Sequence, residues 1–287
     1  MKGTFKALFF PVLALSAVGI SAPTALAAPP TNDTFAGATP ATVGFGEVLD
    51  TTDATTDSDD AQLNTDCGAP ATDASVWYVL EGADVGVAVD VSQSDYSAGV
   101  LVGVGTQGNL EIVTCGSGAV AFFAAAGTTY YVLAFDDQED GSGNGGSLNI
   151  SFIDVPPPPT VEIALNRFGR VDIHTGIATV SGSYTCTNGD FLDVFVDASQ
   201  KVGRGSVLAG GSFFATDMCD GEPHAWTIDL NPENGRFAGG KTITVTFLFS
   251  CGEVLCTDGF FEQTIQLRGG GQAKGAKPRV RAGGRSK

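Results

Sequence analysis

Short runs of β-branched and aromatic residues recur about every ten residues along this chain, with Gly, Asn and Asp filling the gaps as turn formers. Nowhere does an apolar spacing keep the roughly 3.6-residue helical period over three turns. The pattern specifies strands joined by tight turns, so an all-β fold is expected. In the first half the runs are 75–80, 86–91, 99–104, 110–113, 120–124, 129–134 and 148–153. Within 86–91, Val87, Val89 and Val91 share one face. The second half repeats the pattern at 161–165, 177–186, 191–198, 205–214, 224–230, 242–250 and 260–267. In Thr242-Ile243-Thr244-Val245-Thr246-Phe247-Leu248-Phe249 the odd positions are apolar, and 191–196 alternates more loosely.

Pro156 to Pro159 divide the two series. Four prolines in a row lock a left-handed extended rod of about 3.1 Å per residue, roughly 12 Å in all. Such a spacer predicts two bodies, 28–155 and 160–268, each of a length typical of one β-sandwich domain. Seven strands in the second body suit an immunoglobulin-like sandwich.

Residues 1–27 read as an export signal. Lys2 and Lys6 form a positive end, 7–20 is mostly apolar, and Ala25-Leu26-Ala27 offers small residues for cleavage. The apolar run is short of the roughly 20 residues of a spanning helix. The chain after residue 27 is therefore expected to be secreted, soluble and free of the membrane. Six cysteines in an exported chain favour disulfides, and no C-x-x-C pair suggests zinc or a redox site. Cys67 and Cys115 precede the prolines; Cys186, Cys219, Cys251 and Cys256 follow them, so both bodies can oxidise independently. Cys251 and Cys256 would staple a hairpin loop, leaving Cys186 with Cys219, although the last four cysteines formally allow three connectivities.

Charge narrows the partners. Between Lys6 and Arg167 there is no lysine or arginine, while Asp33 to Asp154 supply nineteen carboxylates. Stability there cannot rest on ion pairs; it needs an apolar core, bound cations, or both. A field of that sign repels nucleic acid and anionic membrane. Residues 269–287 are Gly-rich and basic, lack the apolar content to fold, and are expected to be a disordered tail. Its dispersed cations suit wall teichoic acid, another polyanion, the chain's own acidic body, or simply solubility.

Several residues carry a family likeness. Asn32-Asp33-Thr34-Phe35-Ala36, Ser75-Val76-Trp77-Tyr78, Ser94-Asp95-Tyr96-Ser97 before Val100-Leu101-Val102, and Gly127-Thr128-Thr129-Tyr130-Tyr131-Val132 occur in that order. With them the first body resembles the bacterial pre-peptidase C-terminal domain over most of 28–155. That resemblance implies a small jelly-roll-like β-sandwich of secreted proteins, some of which bind matrix polymers or calcium. Relatives carry an acidic run after the second cysteine, where this chain has Gly116-Ser117-Gly118. The second body resembles uncharacterised domains of secreted actinobacterial proteins, through 178–186, Cys219-Asp220-Gly221, His224-Ala225-Trp226 and 235–240. That likeness implies an immunoglobulin-like fold and no known activity.

Candidate chemistry is sparse. Gly103-Val104-Gly105-Thr106-Gln107-Gly108 fits a dinucleotide pattern, but a strand rather than a helix follows, so a hairpin turn is expected. Asp53, Asp57, Asp59, Asp60 and Asp66 form one acidic cluster, and Asp136, Asp137, Glu139 and Asp140 another. Of these, Asp136, Asp137 and Asp140 are the candidates for calcium, since 136–141 partly matches a calcium loop. His174 and His224 lack the motifs of a hydrolytic triad. Trp77, Tyr78, Tyr130 and Tyr131 raise a sugar-stacking hypothesis, with one ring of each pair pointing outward. The expected role is a secreted, non-catalytic binding or adhesion module for a cell-wall or matrix polymer, with the first sandwich holding the ligand and the second presenting it. The alternatives are a secreted hydrolase using paired carboxylates, or a structural envelope protein.

Overall fold

Val87 and Val89 lie beside Phe122 and Val120 on neighbouring strands, and with other valines and aromatics they form the first core. The computed structural model describes residues 28–58, 60, 63, 67–68, 72–216 and 219–269. The expected signal 1–27 and the tail beyond Gly269 lie outside the described residues. The first half holds β1 (Thr39–Ala41), β2 (Gly46–Asp50), β3 (Asp73–Glu81), β4 (Val85–Asp90), β5 (Ala98–Thr106), β6 (Asn109–Ser117), β7 (Ala119–Ala124), β8 (Thr129–Asp136) and β9 (Ser147–Val155). Ahead of them come a 3-10 turn at Phe35–Gly37 and, between β2 and β3, helical residues at 58, 60, 63 and 67. The fold is all-β, as expected.

Two open sheets form here, in the orders β1-β3-β8-β5-β6 and β2-β9-β4-β7. Val76, Tyr78, Val100, Val102 and Val132 of the first face Val87, Val89, Phe122, Ile150 and Phe152 of the second. The outer face of the five-stranded sheet is covered too. Leu63, Phe35 and the Cys67–Cys115 disulfide lie over Trp77, Leu101, Leu133 and Phe135. Burial on both faces explains why β3, β5 and β8 read as nearly continuous apolar runs instead of clean alternation. The residues carrying the family likeness are fasteners of this cover. Asn32 accepts from Trp77 N and donates through Nδ2 to Trp77 O, while the Phe35 ring meets Trp77 at 5.1 Å and Tyr131 at 4.3 Å.

The second half contains β10 (Thr160–Leu165), β11 (Phe168–Val171), β12 (Ala178–Thr187), β13 (Phe191–Val202), β14 (Gly205–Thr216), β15 (His224–Pro232), β16 (Gly240–Cys251) and β17 (Cys256–Gly269). The immunoglobulin-like pair of sheets expected here is not what forms. One sheet closes on itself through the ring β11-β12-β15-β14-β13-β16-β17, with β10 paired outside it on β12. The element that closes it is β11, four residues that no periodicity marks. An odd number of strands cannot be antiparallel all the way round, so one pair must run parallel, and β11–β17 is that pair.

The inside of seven strands is narrow. Trp226 stacks on Phe213 at 5.5 Å, and Tyr184, Leu192, Ile228, Leu230, Ile265 and Leu267 fill what is left. Gly182 makes the room, since a Cβ there would fall within 2.6 Å of the Trp226 ring. Against this filling β16 contributes mostly small side chains: Thr242, Thr244, Thr246 and Ser250 are buried, with Leu248 the one large residue among them. Its apolar partners Ile243, Val245, Phe247 and Phe249 consequently point outward.

Two further disulfides, Cys186–Cys219 and Cys251–Cys256, complete the set, and among the described residues no cysteine is free. Three bridges suit an oxidising environment outside the cytoplasm. No helix of the described residues is long and apolar enough to cross a membrane.

The threonine lining gives a signed test. Thr244 Oγ1 donates to Gln263 O at 2.9 Å, whereas Thr246 Oγ1 is buried without a partner. Thr246→Val should therefore raise stability by about 1 kcal/mol and Thr244→Val should lower it by about the same. Urea denaturation of the oxidised protein measures both, and equal effects of the two would contradict the lining described here.

Candidate functional site

β14, β13, β16 and β17 lie side by side in the barrel wall, and each sends alternate side chains away from the axis. Phe195, Phe247 and Phe260 occupy one row across β13, β16 and β17. The rings of Phe247 and Phe260 are nearly parallel at 6.3 Å. Phe214, Asp193, Phe249 and Asp258 form the next row, with Phe191 packed between Phe214 and Phe249 at 5.6 and 5.9 Å. On the other side, Asp197, Val245 and Glu262 share a row. The aromatic row thus lies between two rows that carry carboxylates. Apart from the half-buried Phe191, exposure of the large apolar side chains on this face runs from 37% at Val245 to 74% at Phe260.

Beside this platform is a shallow cleft of about 330 Å³ lined by Asp197, Ser199, Leu208, Glu233, Ile243 and Val245. Glu233 is held at its rim by its own N–H bonding Leu208 O at 2.9 Å, while Asn234 Oδ1 accepts from Leu208 N at 2.9 Å. Lys201, Arg204 and Lys241 are exposed at the end of the face beyond Ile243, where the chain also leaves β17. Flat apolar rings flanked by carboxylates can hold a cationic group with an apolar stem. The expectations for this half did not single out these residues. The Thr/Phe alternation in 242–249 was visible; which of its faces is buried was not.

The other candidate residues are occupied structurally. Asp136 accepts from Gln138 N and Gly145 N, Asp137 from Glu139 N and Ser117 Oγ, and Asp140 from Ser142 N and Oγ. The Ser142 hydrogen bonds hold the Asp140 carboxyl below its usual range. The carboxylates of this loop thus cap its turns, and among the described residues no group of three or more His, Cys, Asp or Glu could hold a metal ion. Asp59 and Asp66 lie outside the described residues. Trp77 and Tyr78 are both buried, contrary to the inward–outward pairing expected of neighbours in a strand, because Phe35, Leu63 and the Cys67–Cys115 bridge seal the second face. Tyr130 is buried as well, and Tyr131 packs under Phe35. The glycine pattern is the β5–β6 hairpin turn, with Gly105 and Gly108 at positive φ. His224 Nε2 bonds Asp220 Oδ1 at 2.8 Å beside the Tyr184 ring, and His174 sits in the turn capped by Asp172.

Asp60 stands apart as a fully buried carboxylate. Its Oδ1 accepts from Trp77 Nε1 at 3.0 Å, and its Oδ2 accepts from Ser75 Oγ and from Asp57 N. Burial pushes this carboxyl up from 3.8 to about 6, outweighing the hydrogen bonds that pull it down. It locks the cover to β3.

No protein-family model matches the chain, and no curated protein does. Among solved structures, β-glucuronidase 3 of Bacteroides uniformis is similar at 11% identity over 67% of this chain and 27% of that chain, with a TM-score of 0.27. Parabacteroides merdae β-glucuronidase is similar at 13% identity over 68% of this chain and 28% of that chain, with a TM-score of 0.27. A β-galacturonidase from Eisenbergiella tayi reaches 10% identity over 67% and 35%, with a TM-score of 0.24. The chain spans about a third or less of the length of these proteins. Likeness at this level carries no argument about architecture or activity.

The Asp60 shift predicts a pH dependence. Because the folded-state pKa is raised, the folded protein binds a proton that the unfolded chain does not between about pH 4 and 6. Stability from this group is therefore present at low pH and lost as pH rises through about 6. Asp60→Asn should remove this part of the slope, narrowing the gain on acidification from pH 7 to 4.5 by roughly 1–3 kcal/mol relative to wild type. Parallel urea melts at the two pH values test it; identical slopes in both proteins would refute it.

Proposed function

We propose that this chain is a secreted, non-catalytic binding protein for a cell-wall or matrix polymer, and that its ligand surface is the outer face of β13, β14, β16 and β17. The first half is then a sandwich of the pre-peptidase C-terminal type and the barrel is the ligand-holding part, reversing the roles read from sequence. The observation that carries this reading is the exposed row Phe195, Phe247 and Phe260 with Phe214 and Phe249 beside it. Contiguous exposed apolar surface on a soluble protein marks an interaction site. Each such ring, between 40% and 74% exposed, forgoes about half or more of a burial worth about 1.5–3 kcal/mol, which a sequence under selection for folding alone would avoid by placing polar residues there.

The acidic border supports the same role. Carboxylates keep the apolar face from associating with copies of itself, because two such faces would bring Asp193, Asp197, Asp258 and Glu262 against their counterparts. They also orient hydrogen-bonding or cationic groups of a polymer over the rings. The oxidised first half, with no lysine or arginine, adds a solvated acidic body that repels anionic surfaces.

Sedimentation of the oxidised protein with insoluble cell-wall and matrix polymers, with and without calcium, tests the proposal. Phe247→Ser combined with Phe260→Ser should cut the bound fraction about fivefold or more. The urea midpoint should hardly move, since both rings are exposed. Retention that ignores the double substitution would place the ligand elsewhere.

A further inference from the structure

We propose that one end of the barrel is a second binding site, separate from the phenylalanine face, and that it takes the sulfate or carboxylate groups of an anionic polysaccharide. The inference goes beyond the role given to that face, since it uses other residues and recognises groups of the opposite charge.

Placement is the first argument. Seven lysines and arginines fall among the described residues, all of them exposed and all in the second half. Lys201 and Arg204 stand in the β13–β14 hairpin, Arg236 in the β15–β16 connection and Lys241 at the start of β16. Arg268 is at the end of β17, with Arg170 of β11 beside it and Arg167 just ahead of that strand. The β13–β14 hairpin, the first residues of β16 and the last of β17 share one end of the barrel. The other end holds the Cys251–Cys256 hairpin with Asp190, Asp220, Glu222 and Glu253, and no lysine or arginine among the described residues. The chain from the acidic first half arrives at that other end, where Thr160 pairs with Thr187. The barrel is therefore electrically polar, with its cations gathered opposite the first half's point of attachment.

Pairing is the second. Arg170 lies directly opposite Arg268 across β11 and β17. Ser199 lies opposite Ile243, and two positions further the same register sets Lys201 opposite Lys241. Like charges directly opposite on neighbouring strands destabilise a sheet. In a chain of 32 acids and 15 bases, a carboxylate would be the commoner neighbour. Among the described residues the His224–Asp220 contact is the one ion pair, so no carboxylate neutralises any of these seven cations. The acids nearest to them are engaged elsewhere: Asp172 accepts from His174 N and Thr175 N, Asp229 accepts from Thr179 Oγ1, and Glu233 lines the cleft beside the phenylalanines. An anion seated between the members of each like pair relieves their repulsion.

Local geometry is the third. Arg236 lines a cleft of about 240 Å³ with Ser206 and Asn234, beside the hairpin that carries Arg204. Pockets for whole small ligands run to roughly 300–1,000 Å³, so this cleft holds one group while the rest of an extended ligand crosses the like-charged pairs. Phe168, 42% exposed, is approached by two guanidiniums, with Arg268 Cζ 3.5 Å and Arg167 Cζ 5.5 Å from its ring centroid. Contact with the ring steadies both side chains and leaves their N–H edges to fork onto sulfate or carboxylate oxygens. The same contact disfavours nucleic acid, because a ring already engaged by arginine offers no free platform for stacking bases.

Affinity of the full oxidised chain for dextran sulfate, polygalacturonate, neutral dextran and single-stranded DNA, measured across a salt series, tests the inference. Dextran sulfate or polygalacturonate should bind, more weakly as salt rises, and neutral dextran should not. Preference for the first assigns sulfate and for the second carboxylate. Arg170→Gln with Arg268→Gln, and separately Lys201→Gln with Lys241→Gln, should each weaken that binding about tenfold or more at low salt. The urea midpoint of either variant should hold or rise, because a like-charged pair is removed. Residues after Gly269 keep their charges in both variants, so the loss is assigned to the barrel. Affinity that ignores both pairs would overturn the inference, and so would DNA bound as tightly as the anionic polysaccharides. If Phe247→Ser with Phe260→Ser abolishes binding of these polymers, the separate site falls and the phenylalanine face stands. If that substitution leaves cell-wall sedimentation unchanged while the arginine pair weakens polyanion binding, the role of the face falls and the cationic end stands.

Discussion

The space enclosed by seven closed strands decides what the rest of the second half can be. Once Trp226, Phe213 and Tyr184 are stacked inside, β16 contributes three threonines, a serine and a single leucine, Leu248, inward. Strand geometry then forces the residues between them outward, because neighbours in a strand take opposite faces. The phenylalanines of β16 are thus exposed as a consequence of closure, and the phenylalanines of β13, β14 and β17 extend the same outward surface. Closure itself depends on a parallel strand of four residues and on a glycine at 182 that leaves room for an indole. A larger residue at either place acts first on the ring and only through it on the face.

The first half solves a different problem, that of an acidic chain without cations. Its carboxylates are matched with hydrogen-bond donors in place of counter-charges. Asp33 accepts from Thr55, Asp50 from Thr52, Asp84 from Ala126 N, Asp90 from Ser92 N and Asp95 from Ser147 N. Asp136, Asp137 and Asp140 do the same in the loop after β8. Each carboxylate satisfies backbone N–H groups that turns leave unpaired. Fixing turns this way demands no lysine, which leaves the surface uniformly negative while the apolar core supplies cohesion. The expectation that ion pairs do not hold this half agrees with that bonding.

Much of this was legible in the amino-acid sequence, and the limits are physical. All seven runs named in the first half are strands, because β-branched and aromatic clusters between glycine and aspartate turns leave few other solutions. The short β1 and β2 were not visible: three and five residues offer too little periodicity. The immunoglobulin reading failed for a related reason. Seven strands of the right spacing fit two sheets or one ring equally well, and what separates them is the pairing of β12 with β15 and the presence of β11. Those are long-range contacts with no local signature. The last four cysteines left three connectivities open; the pairs that form are Cys186–Cys219 and Cys251–Cys256, the latter facing each other across a hairpin. The platform was half legible: alternation in 242–249 showed two unlike faces, while the inward choice of the threonine face came from filling the barrel.

That platform is also stiff, which bears on what it can bind. The Cys251–Cys256 bridge ties β16 to β17 two residues beyond Phe249, and both strands are paired over twelve positions. β13 is in turn paired along its length with β14 and with β16. Phenylalanine has two side-chain torsions, so holding its ring against a ligand costs little conformational entropy compared with a lysine or methionine. A surface whose backbone is fixed on both sides and whose contact groups are rigid enters binding with most of its order already in place. A mobile loop would have to lose that entropy on contact. The same apolar area on an irregular segment would collapse onto the barrel, whereas on the wall of a closed sheet it has nowhere to fold to and stays presented to solvent.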